Sequence, residues 1–151
     1  MERSNTKVRY NKPEAVKELE LLYHEAKKTK YKNVPENYLV FTKFRDDKTN
    51  DLTKCVIAYT RLKDHFIERV SSTGRFINGK WIKGTGTNGT ADLSAVIDGK
   101  SVKIEIKCRA TKDRQSEAQK NYQKQIEKAG GIYLIVRDFT EYKKWLDDYG
   151  K

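Results

Sequence analysis

Residues 92–107 of the chain read DLSAVIDGKSVKIEIK, and this stretch decides the fold. At its centre, Asp98-Gly99 is the dipeptide most typical of a two-residue type I′ turn between antiparallel strands. If those two residues form the whole turn, Ile97 faces Lys100, and counting outward along both strands brings Asp92 opposite Glu105. Directly opposite residues hold their Cβ atoms roughly 4.5–5.5 Å apart on the same face. The sequence therefore predicts a hairpin in which two carboxylates face each other.

The two faces of this hairpin differ in polarity. The apolar face carries Leu93, Ala95, Ile97, Val102, Ile104 and Ile106, and the polar face carries Asp92, Ser94, Lys103, Glu105 and Lys107. Facing carboxylates repel unless something compensates them, and Mg²⁺ favours one or two carboxylates together with waters and phosphate oxygens. We expect Asp92, Glu105 and the backbone carbonyl of Ile106 to bind Mg²⁺ or Mn²⁺, with Lys107 orienting the attacking water or stabilising the transition state as a point charge. The alternative is a structural hairpin with a surface ion pair between Glu105 and Lys103 or Lys107.

Composition and charge indicate the kind of partner. The chain has 151 residues, which fits one main domain, and a formal net charge of +11. Such a charge favours a polyanion, and nucleic acid is preferred to a membrane because no single basic amphipathic helix carries the cations. An ordinary lysine-rich surface is the alternative. The absence of a long apolar run or an evident leader predicts a cytoplasmic protein, in which Cys55 and Cys108 stay reduced and structural.

Periodicity predicts the remaining elements. The expected helices are 13–29, with Val16, Leu19, Leu22, Tyr23 and Ala26 on its apolar side; 52–69, ended by 71–74; 113–129; and 138–148. Residues 1–12 read as a disordered basic arm and 30–50 as a long connection, so 1–50 is predicted to be appended to a catalytic domain at 51–151. A second hairpin turns at Asn78-Gly79, residues 84–90 form a glycine-rich loop that approaches something closely, and 132–136 is a buried strand.

Several stretches together resemble a known family. They are Gly89-Thr90-Ala91-Asp92-Leu93, Ile104-Glu105-Ile106-Lys107, Ser116-Glu117-Ala118-Gln119 and Ala129-Gly130-Gly131-Ile132-Tyr133. This pattern is similar to the PD-(D/E)xK nuclease signature, and more narrowly to the VRR-NUC branch in its small phage-type form. The likeness covers roughly residues 51–140. Residue 91 is alanine where the signature has proline, and an acid on the helix before the sheet is not assigned; Asp51, Asp64 and Glu68 are its candidates.

The resemblance implies an α/β fold of the restriction-endonuclease type, with an αβββαβ core around a mixed sheet. It implies a Mg²⁺- or Mn²⁺-dependent DNA endonuclease, acting on branched, flap or junction DNA, with Asp92, Glu105, Lys107 and Gln119 in its active site. A homodimer is possible. A DNA-binding module of the same fold with little catalysis is the main alternative, and a sequence-specific restriction-like enzyme is less favoured. The predicted DNA contacts are Arg75, Lys83, Lys103, Arg109, Lys112 and Arg114.

Two residues keep a structural alternative. Gln119 lies on a face with Gln115 and Gln123, opposite a predicted buried side of Ala118, Tyr122, Ile126 and Ala129. It is also the fourth residue of a capping box that starts at Ser116, unless the helix begins near Asp113. Trp81 is expected to pack in the core or within its hairpin rather than to stack on a base.

Overall fold

The computed structural model describes residues 9–70, 74–84 and 86–151. Its helices are α1 (Glu14–Lys30), α2 (Thr49–Leu62), α3 (Glu117–Lys128) and α4 (Phe139–Asp148), with 3₁₀ turns at Glu36–Tyr38 and Arg109–Thr111. Its strands are β1 (Phe66–Arg69), β2 (Arg75–Ile77), β3 (Lys80–Ile82), β4 (Leu93–Ile97), β5 (Lys100–Ile106) and β6 (Ile132–Val136). Most of the predicted arm (1–8), the predicted helix stop (71–73) and residue 85 of the glycine-rich loop lie outside the described residues.

Four strands form one mixed sheet in the order β1-β4-β5-β6. The β1–β4 and β4–β5 pairs are antiparallel, whereas β6 runs parallel to β5. Among the described residues, strands β2 and β3 pair only with each other, in a separate two-stranded hairpin. Helices cover the four-stranded sheet, so the prediction of an α/β fold with a mixed sheet flanked by helices is confirmed.

The predicted register of the β4–β5 hairpin is confirmed. Leu93 pairs with Ile104 and Ala95 with Val102, and both residues of the turn have positive φ, 48° at Asp98 and 78° at Gly99. A type I′ turn requires this backbone conformation at both central positions, and the short Asp side chain and the missing Cβ of Gly tolerate it. The local turn chemistry therefore sets which side chains share each face.

The apolar face of the hairpin packs against three helices. Leu93, Ile104 and their neighbours belong to one buried cluster with residues of α1, α2 and α4, among them Leu19, Tyr59 and Phe139. Helix α3 instead lies against the polar face beside β6, where the ring of Tyr122 contacts that of Tyr133 with a centroid distance of 6.2 Å. The sheet thus separates a hydrophobic core from the face that carries the carboxylates.

The predicted helix at 52–69 is wrong in its second half. Helix α2 ends at Leu62, Asp64 turns the chain with φ 60°, and Phe66–Arg69 becomes the edge strand β1. The helical spacing of apolar residues continues past Leu62, but pairing with β4 offers this segment a full ladder of backbone hydrogen bonds. The tertiary partner therefore overrides the local pattern.

The N-terminal segment is more ordered than expected. Tyr10, predicted to lie in a disordered arm, donates a hydrogen bond to the buried Asp46 (2.8 Å), whose other oxygen accepts from the Phe139 amide (3.3 Å). Lys12 pairs with Glu20. Helix α1 forms nearly where predicted, but Leu22 is 43% exposed because the buried side is narrow and includes the hydrogen-bonded Glu20.

No helix within the described ranges is both long enough and apolar enough to cross a membrane. Both cysteines, Cys55 and Cys108, are buried free thiols, as predicted. Burial raises the pKa of the Cys55 thiol to about 12, which keeps it protonated at neutral pH.

Candidate active site

Asp92 is held at the point where the glycine-rich loop enters β4. Its carboxylate oxygen Oδ2 accepts a hydrogen bond from the Ile106 amide (2.9 Å), and its carbonyl accepts one from the Val70 amide (2.9 Å). The first bond ties the side chain to β5 and the second ties the backbone to the end of β1. Asp92 is thereby oriented by two strands while its side chain stays exposed.

Glu105 is a buried carboxylate with one oxygen left unpaired. The residue is 2% exposed, although its strand neighbours on the polar face are only half-buried. Oε1 accepts a hydrogen bond from Gln119 Nε2 (2.6 Å), whereas Oε2 is buried and has no hydrogen-bond partner among the described residues. A buried polar atom without a partner costs free energy, so such an oxygen requires an explanation, and a cation is one that fits.

The electrostatics of Glu105 agree with this geometry. Burial raises its pKa from 4.5 to about 7, and the negative charge of Asp92 adds to the shift. The ammonium group of Lys107 lowers the pKa of Glu105 and so opposes this shift. Its Nζ lies 3.7 Å from Glu105 Oε1, and the Lys107 side chain is only 14% exposed. Two carboxylates therefore crowd one site with a single half-buried ammonium beside them. A divalent cation would relieve both the burial cost and the mutual repulsion.

Gln119 forms the predicted capping box and also contacts the carboxylate of Glu105. Its side-chain Oε1 accepts a hydrogen bond from the Ser116 backbone amide (2.9 Å), and its backbone amide donates one to Ser116 Oγ (3.2 Å). These two bonds complete the capping box. The cap does not use the side-chain Nε2, which donates to Glu105 Oε1. The prediction that the helix begins near Asp113 is wrong, since α3 starts at Glu117. The capping bond fixes the side-chain amide so that only its nitrogen points toward the carboxylate.

The glycine-rich loop lies against the first turn of α3. Gly89 has φ +76°, and a Cβ built on it would overlap the Ala118 carbonyl and lie 2.6 Å from the Gln119 amide nitrogen. The predicted close approach is confirmed for the described part of the loop. Its partner is the helix that carries Gln119, so the loop joins Asp92 and Gln119 into one rigid arrangement.

The side of α3 predicted to be buried is only partly so. Ala118, Tyr122 and Ile126 are half-buried and Ala129 is exposed, because α3 covers a single edge of the sheet. One residue that the sequence analysis missed is Tyr133, buried next to Lys103 in the parallel pairing of β5 and β6. Its hydroxyl accepts from Gln115 Nε2 (3.4 Å). Tyr133 reaches this face because β6 pairs in parallel with β5. No local turn motif in the sequence signals such a pairing.

Two of the six predicted DNA contacts are engaged with other side chains. Lys103 Nζ donates to Ser94 Oγ (2.7 Å), and Arg109 pairs with Asp138 (3.4 Å) and Glu141 (2.6 Å). The remaining four, Arg75, Lys83, Lys112 and Arg114, are exposed. For Ile106 the structure supplies the amide that orients Asp92, and the role predicted for its carbonyl stays a prediction.

The candidates for an upstream acid lie in three different places. Asp51 is in the first turn of α2, Asp64 is in the turn after α2, and Glu68 pairs with Ser94 on the edge strand. Within residues 9–70, 74–84 and 86–151 no three His, Cys, Asp or Glu side chains are grouped so as to hold a metal. The candidate centre in these ranges consists of Asp92 and Glu105.

The structure confirms one of the two roles expected for Trp81, packing within the hairpin of β2 and β3. Phe76 is 73% exposed and Trp81 60% exposed, so neither belongs to the core. Trp81 does pack within its hairpin, with its ring 5.8 Å from that of Phe76, as the other half of that prediction proposed. These two rings lie on the β2–β3 hairpin. Within the described ranges, its strands form no backbone hydrogen-bond ladder with the main sheet.

Fold and site together define an α/β domain in which a carboxylate pair, a lysine and a glutamine meet on one sheet face. No protein-family model and no curated protein matches the chain. The side chains described above are therefore what points to a function.

Proposed function

We propose that the protein is a metal-dependent DNA endonuclease of the PD-(D/E)xK type, close to the VRR-NUC branch, that hydrolyses phosphodiester bonds in structured DNA. The observation that carries this proposal is the buried Glu105 carboxylate, with Oε2 unpaired and Asp92, Lys107 and Gln119 around it. A purely structural ion pair between Glu105 and Lys107 would be expected to satisfy that oxygen.

The order of elements supports the same class. Helix α2, strands β1, β4 and β5, helix α3 and strand β6 come in this order along the chain, with the β2–β3 hairpin inserted between β1 and β4. Without that hairpin the order is the αβββαβ order that the resemblance implies. Asp92 precedes β4, Glu105 lies in β5, Lys107 follows β5 directly, and Gln119 lies in the first turn of α3. These are the places in which the family signature expects its aspartate, glutamate, lysine and accessory residue.

The residues present fit a hard divalent cation. Asp92 retains the oxygen Oδ1 beside the one bound to Ile106, and Glu105 retains Oε2, so each carboxylate has one oxygen to offer. Carboxylate oxygens with water and phosphate completing the shell suit Mg²⁺ and Mn²⁺. When bound, the cation supplies Lewis-acid stabilisation of the charge that develops on a scissile phosphate.

Gln119 and Lys107 would orient the carboxylate of Glu105 and neutralise charge on the phosphate. Gln119, fixed by its capping bond, holds Glu105 Oε1 and leaves Oε2 to a cation. Lys107 is placed to hold an attacking water or to stabilise the extra negative charge on the phosphate. Because Lys107 is half-buried, its charge acts with less solvent screening than that of a surface lysine.

Charge and exposed aromatic rings support DNA as the substrate. From Val70 to Ala91 the sequence has no acidic residue and contains Arg75, Lys80 and Lys83, with the exposed rings of Phe76 and Trp81 between them. Cations contact phosphates without reading sequence, and aromatic rings stack on unpaired bases. This combination favours DNA with unpaired or splayed bases over plain duplex.

Asp92→Ala tests the proposal directly. We expect Mn²⁺-dependent cleavage to fall at least about 1,000-fold, since the metal contributes several kcal/mol to transition-state stabilisation. DNA affinity in EDTA should change less than about threefold. Asp148→Ala, an exposed change at the end of α4, is the matched control and should cleave normally. If wild-type protein binds DNA but no divalent metal supports cleavage, the binding-module alternative is correct instead.

Lys107→Ala should lower the rate of cleavage while leaving metal binding nearly unchanged. We expect the single-turnover cleavage rate to fall about 100-fold, as for loss of one charged transition-state group. Mn²⁺ affinity by calorimetry should change less than about tenfold, because Lys107 does not supply a metal ligand. Lys103→Ala on the same sheet face is the control, and it should weaken DNA binding while leaving the rate at saturating DNA nearly unchanged. An equal loss in both variants would contradict a catalytic role for Lys107.

A further inference from the structure

A second basic surface lies on the other side of the sheet from the carboxylates. It is a cleft of about 800 Å³ between α1 and α2, open to solvent along one side. Among the residues that the structure describes, five cationic side chains and no acidic one line it: Lys27, Lys30, Lys54, Arg61 and Arg69. Aromatic and aliphatic side chains form its floor, among them Tyr23, Tyr31, Phe44, Ile57 and Leu62. The sequence analysis predicted no site here.

The positive charge of this cleft is largely uncompensated. Lys27 donates to the Val40 carbonyl (2.8 Å) and to Thr42, and Arg61 donates to the Ile67 carbonyl (3.3 Å), all of them neutral acceptors. Lys54 alone of the five has a carboxylate within 4 Å among the described residues, Asp51 at 3.8 Å. Fixed cations whose partners are neutral attract an anion and lower its desolvation cost.

Lys30 and Arg69 are the two cations most available to a ligand. Both are exposed, and in the described part of the chain neither forms an ion pair. Lys30 lies over the Tyr31 ring, 5.4 Å from its centroid. Aromatic rings next to unpaired cations combine the two interactions that a nucleotide uses, stacking of its base and pairing of its phosphate.

One residue that lines the cleft, Arg69, lies close to Asp92 through the pairing of β1 with β4. Arg69 is the last residue of β1 and pairs with Leu93, and the amide of the next residue, Val70, donates to the Asp92 carbonyl. Arg69 and Asp92 therefore lie within about two strand spacings, roughly 10 Å, at the same end of the sheet. Since β1 is an edge strand, a polymer at Asp92 reaches the cleft by passing around that edge.

We propose that the α1–α2 cleft binds a single strand of DNA that leads away from the scissile phosphate. Its phosphates pair with Lys30 and Arg69, and its unstacked bases lie on the aromatic and aliphatic floor. A duplex keeps its base faces stacked inside the helix and would use only the cations. This inference rests on the proposed nuclease function for the direction of the strand, but the binding itself does not require cleavage.

The test measures binding in EDTA, so that no cleavage occurs. The probes are a fluorescent single-stranded 15-mer and a duplex of the same length, titrated with wild-type protein and with the double variant Lys30→Glu/Arg69→Glu. We expect single-strand affinity to fall at least about tenfold and duplex affinity less than about threefold. The salt dependence of single-strand binding should also become shallower by about 1.4, because two phosphate contacts at about 0.7 each are lost.

A control with an equal change in charge isolates the cleft. Lys17→Glu/Lys144→Glu alters two exposed lysines outside it, and single-strand affinity should change less than about threefold. Equal weakening in both double variants, equal weakening of single strand and duplex, or displacement of the 15-mer by a mononucleotide at the same phosphate concentration would overturn the inference. Unchanged thermal unfolding confirms that each variant is folded. Cleavage by wild type in Mn²⁺ is scored separately, so loss of the nuclease proposal leaves this result interpretable.

Discussion

Replacing Glu105 by glutamine should abolish cleavage and at the same time stabilise the metal-free protein. The variant loses the carboxylate that offers Oε2 to a cation, so we expect Mn²⁺-dependent cleavage to fall at least about 1,000-fold. Glutamine keeps the volume and an oxygen that accepts from Gln119, and it places an amide next to Asp92, where it donates to that carboxylate. A buried orphan oxygen is thus replaced by a satisfied amide.

The stabilisation should depend on pH in a defined direction. Burial and Asp92 raise the pKa of Glu105 to about 7, so the folded protein holds a proton that the unfolded chain releases above pH 4.5. Between those values the unfolded state binds fewer protons, and wild-type stability falls as the pH rises through 7. Glutamine does not titrate. The advantage of the variant should therefore be absent near pH 4.5 and reach on the order of 3 kcal/mol at pH 8.

Thermal unfolding in EDTA at pH 4.5, 6 and 8 checks this difference. At pH 8 the variant should melt about 6–12 °C above wild type, given about 2–4 °C per kcal/mol for a chain of this size. Glu117→Gln is a suitable control, since Glu117 is exposed beside Lys120 and its pKa is lowered rather than raised. A variant at Glu105 that melts below wild type at pH 8 would show that the carboxylate is a structural ion pair with Lys107.

Gly89→Ala should destabilise the fold and displace the active site together. The new Cβ would overlap the Ala118 carbonyl, which is helix backbone and does not move without the helix. Overpacking of this kind costs about 1–3 kcal/mol, and alanine at positive φ adds about 1 kcal/mol. We expect a loss of about 2–4 kcal/mol in the free energy of unfolding. Cleavage should fall further than stability explains, because Gln119 is on the helix turn that must move.

Gly99→Ala is the matched control for this change. Gly99 has nearly the same φ, +78°, but a Cβ there would meet nothing within 4 Å. It should therefore show only the backbone strain, about 1 kcal/mol, with cleavage retained. Denaturant unfolding and single-turnover cleavage of both variants make the comparison. If the two alanine variants behave alike, contact between the loop and α3 does not organise the site.

The β4–β5 hairpin was predictable because its information is local. Asp98-Gly99 sets the turn, the turn sets the register, and the register decides that Leu93 and Ile104 face the core. Gln119 was also accessible, since the Ser116 capping box is a local motif. What the sequence did not reveal is that one amide serves the cap and the carboxylate simultaneously, because that depends on where α3 lies relative to β5.

The features that were missed depend on contacts distant along the chain. The segment Phe66–Arg69 has helical spacing and becomes a strand because β4 lies beside it. Asp46, in a stretch predicted to be only a connection, is buried and joins Tyr10 to the start of α4. The basic cleft assembles residues from α1, α2 and β1, none of which forms a cluster in sequence. Such sites become visible only when the packing of the helices is known.

The central claim is that Asp92 and Glu105 form a metal-dependent centre that cuts DNA. Its most direct test is a cleavage panel in which wild-type protein meets single-stranded, duplex, flap and four-way-junction DNA in Mg²⁺, in Mn²⁺ and in EDTA. We predict cleavage of at least one structured DNA in Mg²⁺ or Mn²⁺, none in EDTA, and none by Asp92→Ala or Glu105→Gln. Failure of wild type to cut any of the four DNAs with either metal, or cleavage that persists in either variant, would contradict the account.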